Sequence, residues 1–280
     1  MYEILKREEL NSSSTRFRFY APYVAGKAQP GQFVILRVDE NGERVPFTIA
    51  GYDREAGTVD VIVQIVGATT MKLNRLREGD RLASLTGPLG NPTRLDGLSK
   101  AAVVGGGLGC AIALPIAQEL HRRGCCVHSV VGFRTKDLII LEKEFAEASD
   151  LLTVMTDDGS SGRGGLVTAG LEELILAGNT YDEVICIGPP LMMKFVCLLT
   201  KKYGIKTTVS MNSIMVDGTG MCGCCRLTVG GETKFACVDG PDFDGHLVDF
   251  DEAISRGNIY GEFERHAYDE ACNLLKKEVE

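Results

Sequence analysis

The sequence predicts three parts in order: a small β-barrel, an α/β domain on a parallel, Rossmann-like sheet, and a small C-terminal domain carrying a cysteine loop. Three observations predict this. Strand-like runs separated by turn signals fill residues 1–98, with the spacing of a small barrel. Apolar runs of strand length alternate with helical patterns over 99–210, as a parallel sheet covered on both faces requires. Four of the ten cysteines then crowd between Cys222 and Cys237, inside the segment 211–280.

In the first part the expected strands are Tyr2–Lys6, Thr15–Ala21, Phe33–Val38, Val45–Ile49, Thr58–Val66 and Arg81–Leu85. Pro30-Gly31, Asn41-Gly42, Ala56-Gly57 and Gly79-Asp80 mark the turns between them. In the second part the apolar runs Ala101–Val104, Val127–Val131, Leu152–Met155 and Val184–Ile187 read as strands. The segments Ala111–Arg123, Leu138–Glu147, Leu166–Ala177 and Leu191–Tyr203 read as the helices between and after them. In the third part Phe263, Ala267, Ala271, Leu274 and Leu275 fall on one face of a terminal helix. That face either packs on its own chain or docks a partner.

Composition narrows the function. The chain has 280 residues, 44% hydrophobic and 24% charged, enough for two or three domains with sizeable cores. Lys and Arg number 30 against 38 Asp and Glu, so the net charge of −8 argues against nucleic-acid binding. The start, MYEILKREEL, lacks an apolar signal core. The uncharged stretch Ala101–Ala117 is broken by Gly105, Gly106, Gly107, Gly109 and Pro115, so a strand–turn–helix is expected there rather than a membrane span. A cytoplasmic, reducing location follows as an expectation, with the cysteines serving as metal ligands or core thiols. Cys110, Cys125, Cys126, Cys186, Cys197 and Cys272 sit in apolar patterns and are expected to be core thiols.

The loop MVDGTGMCGCCRLTVGGETKFACVDG carries the most specific spacing. Plant-type [2Fe–2S] sites use C-x4-C-x2-C followed by a later cysteine. With Cys222 and Cys225 as the second and third ligands, the first position falls on Asp217 and the last on Cys237. A carboxylate can ligate iron and keeps one negative charge, while its harder oxygen shifts the potential. Gly218, Gly220 and Gly223 suit a backbone folded closely around a cluster. Cys224 competes but adjoins Cys225, and is expected to be a non-ligand. Zinc is the rival metal, although the second C-x2-C pair of a common zinc site is absent.

The run VVGGGLGCAIALPIAQEL offers Gly106, Gly107 and Gly109 in a turn that opens a helix, where backbone can approach an anion. Tight strand-on-helix packing explains such a turn as well. Arg134, the pair Asp157-Asp158, and Gly188-Pro189 follow the next strands, on the side of a parallel sheet where ligands bind. A carboxylate near the adenosine ribose accepts hydroxyl hydrogen bonds and repels a 2′-phosphate, which favours NAD(H) over NADP(H). Arg134 and Arg163 oppose that preference if they pair with a phosphate. In the barrel, Arg44 can pair with a pyrophosphate, and Thr48, on the strand with Pro46, Phe47 and Ile49, can bond a flavin ring edge. Gly67, Thr69 and Thr70 lie in a turn entering a helix, which also suits a phosphate. An ordinary barrel strand and helix cap account for these two stretches equally well.

Arg44, Pro46, Phe47 and Thr48 approximate the flavin motif R-x-[YP]-[ST]-[ST], and Gly105–Gly109 with Pro115 approximate GGGxGxAPxxP. On these motifs the whole chain resembles the ferredoxin-NADP reductase superfamily, with Ile112 in place of the usual first proline of the second motif. The tail narrows the resemblance. It is similar to the electron-transfer subunit of dihydroorotate dehydrogenase B, which has four cysteine ligands. It is more similar still to the small subunits of NADH-dependent reduced ferredoxin:NADP oxidoreductase and of sulfide dehydrogenase, which share MVDGTGMCG and a FACVDGP-x-FDGH tail. The resemblance implies a β-barrel FAD domain (1–98), an α/β NAD domain (99–210) and a small C-terminal [2Fe–2S] domain (211–280), with Asp as the first cluster ligand. It implies an oxidoreductase subunit that passes electrons from NADH through FAD and the cluster to a larger flavin and iron–sulfur subunit. Through that partner, ferredoxin and NADP(H) would be coupled by electron bifurcation. Accessory service to a sulfide or dihydroorotate dehydrogenase is the nearest alternative. A regulatory nucleotide-binding protein with structural zinc is the alternative of another class. No acid–base cluster is expected: His121, His128, His246 and His266 are scattered, and His246 is expected to be structural.

Overall fold

The computed structural model describes residues 2–277. Strands β1 (Tyr2–Asn11), β2 (Ser14–Tyr20), β3 (Phe33–Arg37), β4 (Val45–Thr48), β5 (Gly51–Asp53), β6 (Thr58–Gln64), β7 (Arg81–Leu82) and β8 (Ser84–Leu89) build the first part. Helices α1 (Pro22–Ala25) and α2 (Ala68–Asn74) interrupt them. Two antiparallel sheets, ordered β5-β6-β2-β1-β7 and β4-β3-β8, close around one apolar core. On β6, Val59, Val61 and Val63 point inward and are fully buried, each contributing roughly 1.5–2 kcal/mol of burial. Ile62, between them, points outward into the core of the second domain. That alternation is why β6 can serve two cores at once.

The second part places β9 (Lys100–Gly106) at the centre of a sheet with β10 (Cys126–Phe133), β11 (Leu151–Thr156), β12 (Arg163–Gly164), β13 (Glu183–Ile187) and β14 (Thr207–Ser210). The order is β12-β11-β10-β9-β13-β14, all parallel. Helices α3 (Cys110–Arg122) and α4 (Glu142–Glu147) cover one face, and α5 (Val167–Leu176) and α6 (Pro190–Lys202) the other. The chain leaves β9 on one side through β10 and returns on the other through β13. The crevice between their C-terminal ends is the topological switch point.

The third part holds the hairpin β15 (Arg226–Val229) and β16 (Glu232–Phe235), strand β17 (Asp242–Asp244), and helices α7 (Phe250–Gly257) and α8 (Gly261–Lys277). It is not free-standing, because β17 adds antiparallel to β14 at the sheet edge. No described helix is long and apolar enough to cross a membrane.

Several boundaries differ from expectation. The first strand runs on to Asn11 because β2 pairs along nearly its whole length. The expected strand Arg81–Leu85 divides into β7 and β8, which join different sheets. The helix expected from Leu138 starts only at Glu142, since Leu141 takes a left-handed conformation (φ 62°) that no helix continues through. On α8, which approaches α2, Phe263 and Ala267 of the expected face are exposed. The side chains of Ala271, Cys272, Leu274 and Leu275 lie outside the described residues. Cys110, Cys125, Cys186 and Cys197 are buried as expected, and Cys126 is half-buried.

Candidate functional site

The candidate residues fall in three regions: the cysteine loop, the barrel strand and turn beside it, and the switch point of the parallel sheet. The cysteine loop is built first from its turns. Asp217 Oδ2 accepts from the Thr219 hydroxyl and from the N–H of Thr219 (2.8 Å) and Met221 (3.3 Å). These bonds, Thr219 foremost, hold the carboxyl below its ordinary pKa, and the Arg44 charge adds to them. Gly218, Gly220 and Gly223 all have positive φ (82°, 87° and 69°), so the chain turns tightly at each. Cys225 and Cys237 are buried with their sulfurs 3.2 Å apart, close enough to bind one metal atom together. Burial first, then the neighbouring Cys225, pushes the Cys237 thiol up to about 12. Cys222 is exposed, and the N–H groups of Cys224, Asp217 and Val216 draw its thiol down despite some desolvation. Cys224 Sγ turns back toward Cys222 O, 3.9 Å away. Among the described residues no three His, Cys, Asp or Glu side chains form a ready single-ion site. The buried sulfur pair, the lowered Cys222 thiol and the glycine turns nonetheless match what an iron–sulfur cluster needs: thiolate donors, N–H groups and close backbone approach.

The loop lies on the barrel. A Cβ on Gly218 would stand 2.6 Å from Ile35 Cδ1 on β3 and 2.9 Å from Leu89 Cδ1 on β8, so a side chain here would have to displace the ends of both. Arg44, just before β4, donates from Nε to Val216 O at 3.1 Å. In β4 itself, Pro46, Phe47 and Thr48 are half-buried and pair with Ile35, Val34 and Phe33. Ile49 is buried, and its N–H donates to Gln32 O (3.0 Å). At the start of α2, Thr70 Oγ1 accepts from the N–H of Val66 and Gly67 (both 3.0 Å) and donates to Gly67 O (2.9 Å). Its hydroxyl therefore shapes the turn, while the Thr69 hydroxyl donates to Glu43 (3.0 Å).

At the switch point Gly109 packs backbone to backbone: a Cβ there would lie 2.4 Å from Ile187 O. Gly106 and Gly188 face each other, and Met192 fills the space beside both. Pro189 precedes α6. Met192 was not singled out from the sequence; the glycines opposite it were the available signal. Arg134, Asp157 and Asp158 are exposed at the ends of β10 and β11. Asp158 accepts from the Ser160 hydroxyl (2.6 Å) and N–H (3.0 Å), which lower its pKa. Arg163 pairs with Glu173 at the surface. Asp217 as an Asx-turn acceptor was also missed, although the D-G-T order signals it. His246 Nε2 bonds Thr200 (3.0 Å) and His128 Nδ1 bonds Tyr181 (2.9 Å), both structural contacts.

A barrel followed by a parallel sheet with a glycine turn at its switch point is the architecture of flavin-dependent reductases of the ferredoxin-reductase class. The ferredoxin reductase of carbazole 1,9a-dioxygenase shares this fold at a TM-score of 0.63, with 21% identity over 73% of this chain and 65% of that one. Residues 1–93 match the oxidoreductase FAD-binding domain, and residues 212–249 match the iron–sulfur cluster binding domain of dihydroorotate dehydrogenase B. The chain is 44% identical to a dihydroorotate dehydrogenase B (NAD(+)) electron transfer subunit homolog of Thermotoga maritima, over 95% of this chain and 94% of that protein. It is 36% identical to the electron transfer subunit of Streptococcus pneumoniae strain R6, over 76% of this chain and 84% of that protein. A chain in the structure of an NADH-dependent reduced ferredoxin-NADP oxidoreductase superposes at a TM-score of 0.92, with 43% identity over 96% and 97% of the two chains. The chain belongs to the family of dihydroorotate dehydrogenase B-type electron transfer subunits. It carries an FAD-binding domain and an iron–sulfur cluster binding domain.

Proposed function

We propose that this chain is the small subunit of an electron-bifurcating NADH-dependent reduced ferredoxin:NADP oxidoreductase. The observation that carries the proposal is the seam between barrel and cysteine loop. There Arg44 bonds Val216 O, and Gly218 rests on Ile35 and Leu89. It sets the candidate flavin strand against the candidate cluster loop, the proximity that one-electron transfer needs. Bound FAD exchanges a hydride with nicotinamide on one side and single electrons with a one-electron carrier on the other.

The residues then divide the work. Arg44, Pro46, Phe47, Thr48 and Ile49, with Gly67, Thr69 and Thr70, bind and orient FAD. Gly106, Gly107, Gly109, Gly188 and Pro189 line the NAD(H) crevice, and Asp157, Asp158 and Arg134 rim it. Asp217, Cys222, Cys225 and Cys237 hold the [2Fe–2S] cluster. The functional units are residues 1–98, 99–210 and 211–280. A larger flavin and iron–sulfur partner docks on the exposed apolar side chains around the loop: Val216, Met221 (87% exposed) and Val238. Ferredoxin and NADP(H) are reached through that partner, in a cytoplasmic heterodimer. The names of the relatives favour a second assignment, the same module serving a dihydroorotate dehydrogenase catalytic subunit.

Anaerobic stopped-flow spectroscopy of the purified chain tests this. NADH should bleach the flavin absorbance at least about tenfold faster than NADPH, the factor that one carboxylate–hydroxyl hydrogen bond supplies. A reduced-cluster electron paramagnetic resonance signal should follow. Equal rates for the two nucleotides would remove the role given to Asp157 and Asp158. The partner that co-purifies from native cells decides between the two assignments.

A further inference from the structure

Arg44 links the barrel to the cysteine loop. Its Nε–H is committed to the Val216 carbonyl, one residue before Asp217. A guanidinium has five N–H donors, so four remain on the two Nη atoms. None of them has a hydrogen-bond partner among the described residues, and the side chain is exposed. The adjacent Glu43 accepts from Thr69 in the turn that opens α2. Residue 43 is thus tied to the α2 turn and residue 44 to the cysteine loop. Behind the carbonyl that Arg44 grips, Gly218 lies against the ends of the Ile35 and Leu89 side chains. Val216 adjoins Asp217 in the chain, so a shift of its carbonyl reaches the loop directly.

We propose that Arg44 is a positioning residue that couples flavin occupancy to the cysteine loop. The Nη fork grips the flavin's phosphates while Nε holds Val216 O and, through it, the segment of Asp217. Rigid planarity makes this possible, since fork and Nε cannot move independently. Without an anion, the exposed Nε bond competes with water and the cost of ordering a long side chain. With the fork clamped, that ordering cost is already met and the loop is held. Binding FAD then tightens the hold on the cluster, which slows its loss, and by linkage the cluster tightens FAD. This rests on the assignment of Arg44 to FAD and of the loop to the cluster made above.

The test uses the full-length cluster-loaded protein, flavin-depleted and flavin-reloaded, as wild type, Arg44→Ala and Arg44→Lys. The readouts are FAD content, the rate of iron loss to a chelator, and the electron paramagnetic resonance line shape of the reduced cluster. In the wild type, FAD removal should speed iron loss about tenfold, the factor for one charge-assisted hydrogen bond, and change the line shape. Arg44→Ala at saturating FAD should match the flavin-depleted wild type in both cluster readouts. Arg44→Lys should keep much of the FAD yet stay uncoupled, because a point-like ammonium cannot hold both ends. Iron loss that ignores FAD in the wild type overturns the coupling. So does an Arg44→Ala protein whose cluster still responds fully to FAD, or full coupling in Arg44→Lys. An Arg44→Ala protein that binds FAD like the wild type overturns instead the assignment of Arg44 to the flavin, and the coupling with it.

Discussion

Two glycine-rich loops carry the candidate chemistry, and they use glycine for opposite reasons. At the switch point, Gly109 has ordinary helical angles (φ −57°, ψ −21°) that any residue adopts. What it lacks is space, because the Ile187 carbonyl and Gly188 occupy the position of a Cβ. In the cysteine loop, Gly223 has φ 69°, and a Cβ there would meet nothing nearer than Phe235 at 3.8 Å. It has space but an angle that L side chains resist. Gly218 shares the left-handed angle (φ 82°) and lies against the ends of the Ile35 and Leu89 side chains. The first loop is a packing joint between two strands and a helix. The second is a wrapped backbone whose N–H groups are directed by left-handed turns. Glycine content therefore marks both as tight turns without saying how either is built.

The loops also differ in anchorage. The switch-point turn is rooted in apolar core, with Val104, Cys110 and Ala113 fully buried around it. The segment following the cysteine loop is rooted in a polar joint. There Asp242 Oδ2 accepts from Thr93 Oγ1 (2.6 Å), and Oδ1 is buried without a partner.

The largest expected effect tests what the second loop wraps. Asp217→Ala should lose the cluster or leave it labile, because the first ligand and the turn it caps go together. Asp217→Cys should keep a [2Fe–2S] cluster with a shifted potential, and Cys224→Ala should do neither. Iron content and the visible spectrum decide. Loss with Cys224→Ala alone would show the ligand set to be misassigned.

Next comes the steric joint. Gly109→Ala should cost about 3 kcal/mol, at the upper end for overpacking, and reduce NADH binding as the turn is pushed off β13. Chemical denaturation and nucleotide titration measure the two effects.

Anchorage makes a pH prediction. Burial raises Asp242 to about 6, against the hydrogen bond from Thr93 and the nearby Ser210 hydroxyl. A carboxyl with a raised folded-state pKa binds its proton more tightly folded than unfolded. Its contribution is fully present below the unfolded value near 4 and is lost as pH rises through about 6. Stability should therefore fall by about 2 kcal/mol across that window. Asp242→Asn should flatten the slope in denaturation curves recorded from pH 4 to 7.

The smallest effect is Gly223→Ala, about 1 kcal/mol from the left-handed angle alone, read as a slight rise in iron-loss rate with NADH binding unchanged. If Gly223→Ala proved costlier than Gly109→Ala, the contrast between angle and space would fail.

Much of this was legible in one dimension. The three-part order follows from periodicity, because a half-buried barrel strand, a doubly covered strand and a helix face each impose their own spacing on apolar residues. The C-x2-C spacing, with Asp217 and Cys237 at template distance, is likewise local or nearly so. Strand boundaries were less legible: whether Arg81–Leu85 is one strand or two depends on which sheets its ends join. The same holds for β17, three residues whose only strand signal is the free edge of β14.

What the tertiary structure alone decided is which distant residues meet. Arg44 and Val216 are 172 positions apart, and their bond depends on a fold that lays the C-terminal segment over the barrel. Gly218 carries no mark in the sequence that it must face Ile35 and Leu89, nor Asp242 that Thr93 would be its donor. Composition and spacing record what each residue can do, because backbone angles, charge and donor chemistry are properties of a short stretch. Adjacency across domains is set by the global packing of three cores, and no short stretch contains it.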